Sequence, residues 1–176
     1  MITNVQRYVA KIAIGPSSLR NSGSPGVIKA AQNYLGNMDL KSLKTIETEE
    51  YAGWLEEKTQ ELQDKFPPPA NKWGLARKAL NIFLCHSYLN WYLHKGYSLH
   101  RLRNVMETPL DSIAANRLRK ETEGQILPRW ITVSGLTHEK SNKYQQVAAM
   151  VAKRLGVPRA CLDVVLFIPK RSIGVQ

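Results

Sequence analysis

Trp73-Gly74-Leu75-Ala76-Arg77-Lys78-Ala79-Leu80-Asn81-Ile82-Phe83-Leu84-Cys85-His86-Ser87-Tyr88-Leu89-Asn90-Trp91-Tyr92-Leu93-His94-Lys95 is the stretch that decides the fold. It holds no proline, and Gly96 follows it as a stop. Leu75, Leu80, Ile82, Phe83, Leu84, Tyr88, Leu89, Trp91 and Tyr92 fall on almost every side of a 3.6-residue helix. A helix that is apolar all round has to be surrounded by other elements, so residues 73–95 predict one long buried central helix.

Working outward, the neighbouring segments also read as helices. Residues 5–14 and 27–35 have helical apolar spacing, and between them residues 15–26 are mostly Gly, Pro and Ser, which predicts a flexible loop. Tyr51, Trp54, Leu55 and Leu62 form one stripe within residues 45–65, opposite an acidic face of Glu47, Glu49, Glu50, Glu56 and Glu57. Pro67, Pro68 and Pro69 end that segment. Short helices are expected over 99–106 and from about Asp111 to Lys120. Thr137 is an N-cap for a helix over 138–155 that Gly156 and Pro158 close. Val164-Val165-Leu166-Phe167-Ile168 is β-branched and apolar, and residues 162–168 predict the one strand. The expected fold is therefore mostly α. It is a single domain over 1–176, a compact helical bundle around the central helix with one short C-terminal strand.

Lys and Arg together number 25 against 14 Asp and Glu, for a net charge of +11. Such an excess speaks of polyanionic partners rather than of fold. A membrane span is not expected, because no apolar run reaches the required length of about 18 residues. Two separated cysteines, Cys85 and Cys161, give no Cys-x-x-Cys pair for zinc or iron–sulfur and suit a reducing compartment. A cytoplasmic protein that binds nucleic acid, most simply DNA, with no cofactor and no metal, is the expectation. His86 and His94 lie two helical turns apart, too far for a joint ligand pair. Near Gly15 to Gly26 there is no Gly-Lys-Ser/Thr to make a phosphate loop.

Two motifs narrow the chemistry. Gly74-Leu75-Ala76-Arg77-Lys78 is followed by Asn81, and further on Leu110-Asp111-Ser112 leads to Arg117-Leu118. Together they resemble the core of the helix-hairpin-helix DNA glycosylases, the endonuclease III-like superfamily, over residues 72–120. Ala76 stands where that family has its second hairpin glycine, and Lys72-Trp73 where it has Leu-Pro. The resemblance implies a base-excising enzyme, with or without lyase activity, in which Lys78 is the nucleophile and Asp111 the catalytic carboxylate.

The residues themselves can be read the same way. A hairpin opening into a helix N-terminus offers free N–H groups to a phosphate. Gly74 would permit close approach, with Lys72 and Arg77 adding charge. A lysine desolvated beside cations becomes a nucleophile. Trp73, Tyr88 or Trp91 could stack on a flipped base. Arg101, Arg103, Arg117 and Arg119 could line a phosphate-binding groove.

Each residue also has a plainer role open to it. Lys78 can snorkel from an amphipathic helix, Asp111 can simply cap, and the aromatics can be core. A nucleic-acid-binding protein without catalysis needs only the basic surface. A protein-interaction factor would instead expose an apolar patch or a strand edge.

Overall fold

A computed structural model of the chain describes residues 1–19, 24–122 and 127–167. Among these residues there are eight α-helices and no β-strand. They are α1 Ile2–Ala13, α2 Val27–Asn37, α3 Tyr51–Asp64, α4 Trp73–Leu89, α5 Trp91–Gly96, α6 Ser112–Glu121, α7 His138–Leu155 and α8 Leu162–Phe167. No helix among the described residues is long and apolar enough to cross a membrane. Of the loop expected over 15–26, residues 20–23 lie outside the described residues.

The mostly helical bundle forms around α4, as its apolar circumference demands. Leu75, Ala76, Ala79, Leu80, Phe83, Leu84 and Cys85 are all buried, with Phe83 at 0 % exposure. The helix is not continuous to Lys95, however. Asn90 takes an extended backbone (φ −84°, ψ 116°), and its side chain accepts a hydrogen bond from the Leu93 N–H at 3.1 Å. Asn90 thus caps a new helix instead of continuing the old one. The break turns Leu89, Trp91 and Tyr92 outward, and Trp91 is 69 % exposed.

Hydrophobic burial falls into two clusters. The larger gathers α1 to α5, the turns around Leu43 and Leu99, and Ala160 with Cys161. The smaller gathers Leu110, Leu118, Leu136, Tyr144, Val147, Val151 and Leu162, mainly from α6 and α7. Buried polar side chains tie elements together beside the apolar contacts. Buried Gln6 on α1 donates to the Leu35 and Met38 carbonyls at 2.9 and 2.8 Å and accepts from the Tyr97 hydroxyl at 3.1 Å. Two carbonyls at the end of α2 are thereby satisfied.

The helix ends follow local chemistry. Thr137 caps α7 through Lys140 N–H, and Gly156 closes it in the left-handed region at φ 70°. The segment expected over 99–106 shortens to a 3-10 turn, Leu99–Leu102. The expected strand is replaced by a helical turn over Leu162–Phe167, and its last residue, Ile168, lies outside the described residues. The physical reason is local: Pro158 leads into a 3-10 turn at Arg159–Cys161 that runs straight into α8, and no other strand is present among the described residues to pair with one.

Candidate functional site

Lys78 and Asp111 come together. The Lys78 Nζ lies 3.8 Å from Asp111 Oδ2, with the two side chains 12 % and 30 % exposed. Lys78 projects from α4, which belongs to the larger cluster. Asp111 is the N-cap of α6, which belongs to the smaller one, and its Oδ1 accepts from Ile113 and Ala114 N–H, both at 2.9 Å. The pair therefore bridges the seam between the two clusters, the kind of place where ligand clefts form.

A cleft of about 480 Å³ opens at this seam. Lys78, Asp111 and Ser112 form one side, and Leu75, Trp130 and Ile131 supply apolar wall. Thr132 and Ser134 add hydroxyls. Trp130 is the aromatic of this cleft, held edge-on by Tyr144 at 5.5 Å between centroids. Sequence reading missed it as a site residue, because it sits in the irregular stretch after Pro128 with no periodicity to mark it. Asp163 on α8 lies within electrostatic reach of both Asp111 and Lys78. Burial pushes its carboxyl up to about 6, Asp111 adds repulsion, and Lys78 opposes the shift. Its Oδ1 is buried without a hydrogen-bond partner.

The anticipated hairpin does not form at Gly74-Leu75-Ala76. These residues are already in the first turn of α4, and the Leu75 and Ala76 N–H groups both donate to the Lys72 carbonyl, at 3.1 and 3.2 Å. They are thus not free for a phosphate. Gly74 does permit a close approach, but of protein. A Cβ there would stand 2.1 Å from the Val133 carbonyl oxygen and 2.8 Å from Leu136 Cβ.

Arg77 is also committed elsewhere. It is buried, and it grips Glu107 through Nε (2.9 Å) and Nη2 (3.0 Å), with Nη1 on Thr59 (2.9 Å) and Glu56 (3.2 Å). Asn81 donates to the same Glu107 at 3.0 Å. A buried guanidinium satisfied by two carboxylates is part of the scaffold, because withdrawing either acid would leave a desolvated charge. Lys72 is exposed at the N-cap of α4.

The other expected residues are dispersed. Trp73 is half-buried, donates to Glu56 at 2.9 Å and packs on His138 with ring centroids 4.0 Å apart. His138 in turn bonds Glu56 at 2.7 Å. Tyr88 packs against His94. Trp91, beside Lys95 at 5.7 Å, lies on α5 beyond the break at Asn90, and Tyr88 is roughly 15 Å of helical rise along α4 from Lys78. Neither aromatic lines the Lys78 cleft. Arg101 bonds the Lys44 carbonyl and pairs with Glu47, and Arg103 donates to the Gly156 carbonyl at 3.2 Å. Arg117 and Arg119 are half-buried on α6. None of these four lines the Lys78 cleft.

Cys85 and Cys161 are both buried free thiols, and the neighbouring Cys161 thiol together with burial pushes the Cys85 thiol well above its ordinary range, so that it stays protonated. Among the described residues no group of three or more His, Cys, Asp or Glu side chains is arranged to hold a metal ion. Compared with protein-family models, curated proteins and solved structures, the chain matches none.

Proposed function

We propose that the chain is a DNA glycosylase with lyase activity, using Lys78 as nucleophile and Asp111 as the carboxylate beside it. One observation carries the reading: the Lys78 amine stands 3.8 Å from the Asp111 carboxylate, at a cleft of about 480 Å³ with a tryptophan in its wall. Such a cleft is within the usual range for a small-molecule-sized guest, roughly 300–1,000 Å³. A nucleotide turned out of its strand is a guest of that kind.

In this reading Asp111 accepts the proton that the Lys78 ammonium must lose. The neutral amine then attacks C1′, the N–C1′ bond forms, and the bond to the base breaks with its electron pair leaving on the base. Asp111 passes that proton on to the departing base and, as a carboxylate again, stabilises the positive charge left on the sugar, as carboxylates do in glycoside hydrolysis. The C1′–O4′ bond then breaks as the attached nitrogen gives a proton to O4′, and the opened sugar is held as a Schiff base at Lys78. The net charge of +11 supplies attraction for the strand. With Arg77 held by Glu107 and Glu56, that attraction comes from the exposed cations and not from a hairpin.

The test is borohydride trapping across a panel of damaged and modified bases. A covalent adduct is expected from the native protein and none from Lys78→Gln, while both bind DNA in a salt-dependent way. Binding without an adduct on any substrate would replace the enzyme by a nucleic-acid-binding protein. Absence of binding at low salt would remove both. The third reading, a protein-interaction factor, has one observation of its own: Leu89, Trp91 and Tyr92 are exposed together at the junction of α4 and α5.

A further inference from the structure

A second cleft, of about 520 Å³, lies at the far end of α7 and includes neither Lys78 nor Asp111. Its polar side chains are the three cations Arg103, Lys153 and Arg159 together with the neutral Asn104, and no carboxylate residue lines it among those described. Its apolar surface comes from Ala149, Ala152 and Val157. Ala149 and Ala152 are three residues apart on α7 and so share one face, where their small side chains leave a shallow floor.

Arg159 is the unusual member. Its guanidinium is half-buried, and every partner it has is a neutral carbonyl: Met106 at 2.8 Å, Gln145 at 3.4 Å and Val105. Glu107 is within electrostatic reach, but its carboxylate is held by Arg77 and Asn81. The carbonyls fix the guanidinium without neutralising it. A desolvated, oriented guanidinium short of a counter-charge is what an anion binds best. Cations at the C-terminus of α7 also offset its helix dipole, which accounts for Lys153. That effect leaves unexplained a fixed Arg159 and an apolar floor facing the same space. Arg154, at the same helix end, is paired with Glu121 and does not line the cleft.

We propose that this cleft binds a nucleotide, with its phosphate held by Arg103, Lys153 and Arg159 and its base lying on the floor of Ala149, Ala152 and Val157. The volume is far more than a phosphate alone requires, and the floor gives a planar base an apolar surface to cover. A free mononucleotide and a nucleotide unit within a strand share this chemistry. The proposal is independent of any reaction at Lys78, so a failure of trapping there leaves it untouched.

The test is amide NMR with adenosine monophosphate, inorganic phosphate and a short single-stranded oligodeoxyadenylate, on three proteins. In the native protein the mononucleotide should shift the amides of Ala149, Ala152, Gly156 and Val157. Ala149→Trp, which fills the floor and leaves the charge alone, should weaken mononucleotide binding by roughly tenfold or more while phosphate still binds. Arg103→Glu combined with Lys153→Glu should weaken both ligands. Arg159 is left in place because it holds three carbonyls of the scaffold. Displacement of the mononucleotide by the oligonucleotide would assign the site to a strand, and binding without displacement would assign it to a free nucleotide. The proposal is overturned if the mononucleotide shifts none of these amides at millimolar concentration, or if the Ala149→Trp protein binds it as the native one does.

Discussion

Asp111 divides its carboxylate between two helices: Oδ1 accepts the Ile113 and Ala114 N–H groups that open α6, and Oδ2 stands 3.8 Å from the Lys78 amine on α4. The two roles depend on each other. The cap bonds fix the rotation of the carboxylate, and that fixed rotation aims the second oxygen at Lys78. Capping and chemistry, which sequence reading sets against each other, are here properties of a single side chain.

Substitution at Asp111 separates them. Asn is as good an N-cap as Asp, so Asp111→Asn keeps the cap and loses only the charge facing Lys78, whereas Asp111→Ala loses both and should be less stable than the Asn variant by about 1 kcal/mol. Adduct formation with Lys78 should be lost in both. Denaturant melts and borohydride trapping on the same preparations give the comparison. An Asn variant that traps like the native protein would reduce Asp111 to a cap.

The central helix carries most of the larger cluster. Phe83 is fully buried among Leu and Ala side chains of the bundle. Phe83→Ala should destabilise by about 3–5 kcal/mol, the usual range for deleting a buried ring. An unchanged denaturation midpoint would mean that the core is built around other residues.

These residues show how much was legible in the sequence. Periodicity marks α4 because its apolar residues surround the axis, and Thr137, Asp111 and Gly156 mark helix ends because capping is local chemistry. The break at Asn90 was missed because Leu89, Trp91 and Tyr92 extend the apolar pattern beyond it, although they are exposed. Arg77 and Gly74 were misread for another reason. Their partners are Glu107, Glu56 and Val133, 30, 21 and 59 residues away, and nothing in the local sequence announces them. The pairing of Lys78 with Asp111 came from motif order, whereas Trp130 and Asp163, which folding brings to the same seam, carry no local signal.

Gly74 tests the corrected reading directly. Its missing side chain admits the Val133 carbonyl, with backbone on both sides of the contact. Gly74→Ala must push the 133–136 turn away from α4, and that turn adjoins Trp130 to Ser134 of the Lys78 cleft. A cost of about 1–3 kcal/mol is expected, the range for overpacking, despite the better helix propensity of Ala. Stabilisation by this substitution would show that the turn does not rest on α4.

Asp163 makes the last prediction, on pH. Burial pushes its carboxyl from 3.8 up to about 6, with Asp111 contributing further. Between those values the folded chain holds a proton that the unfolded chain has released, so folding stability from this group falls as pH rises through the window. Below about pH 4 both states are protonated and the group has no effect. Above about pH 6 the folded state bears a buried carboxylate, at a cost on the order of 2–3 kcal/mol. Asp163→Asn keeps the shape and removes the charge. It should therefore be more stable than the native protein at about pH 8, with the difference shrinking towards zero at about pH 4. Taking the difference between the two proteins in denaturant melts cancels the other titrating groups they share. A difference that stays constant across this range would mean that Asp163 ionises as an ordinary surface carboxylate, and that the seam beside Lys78 is open to water from the α8 side.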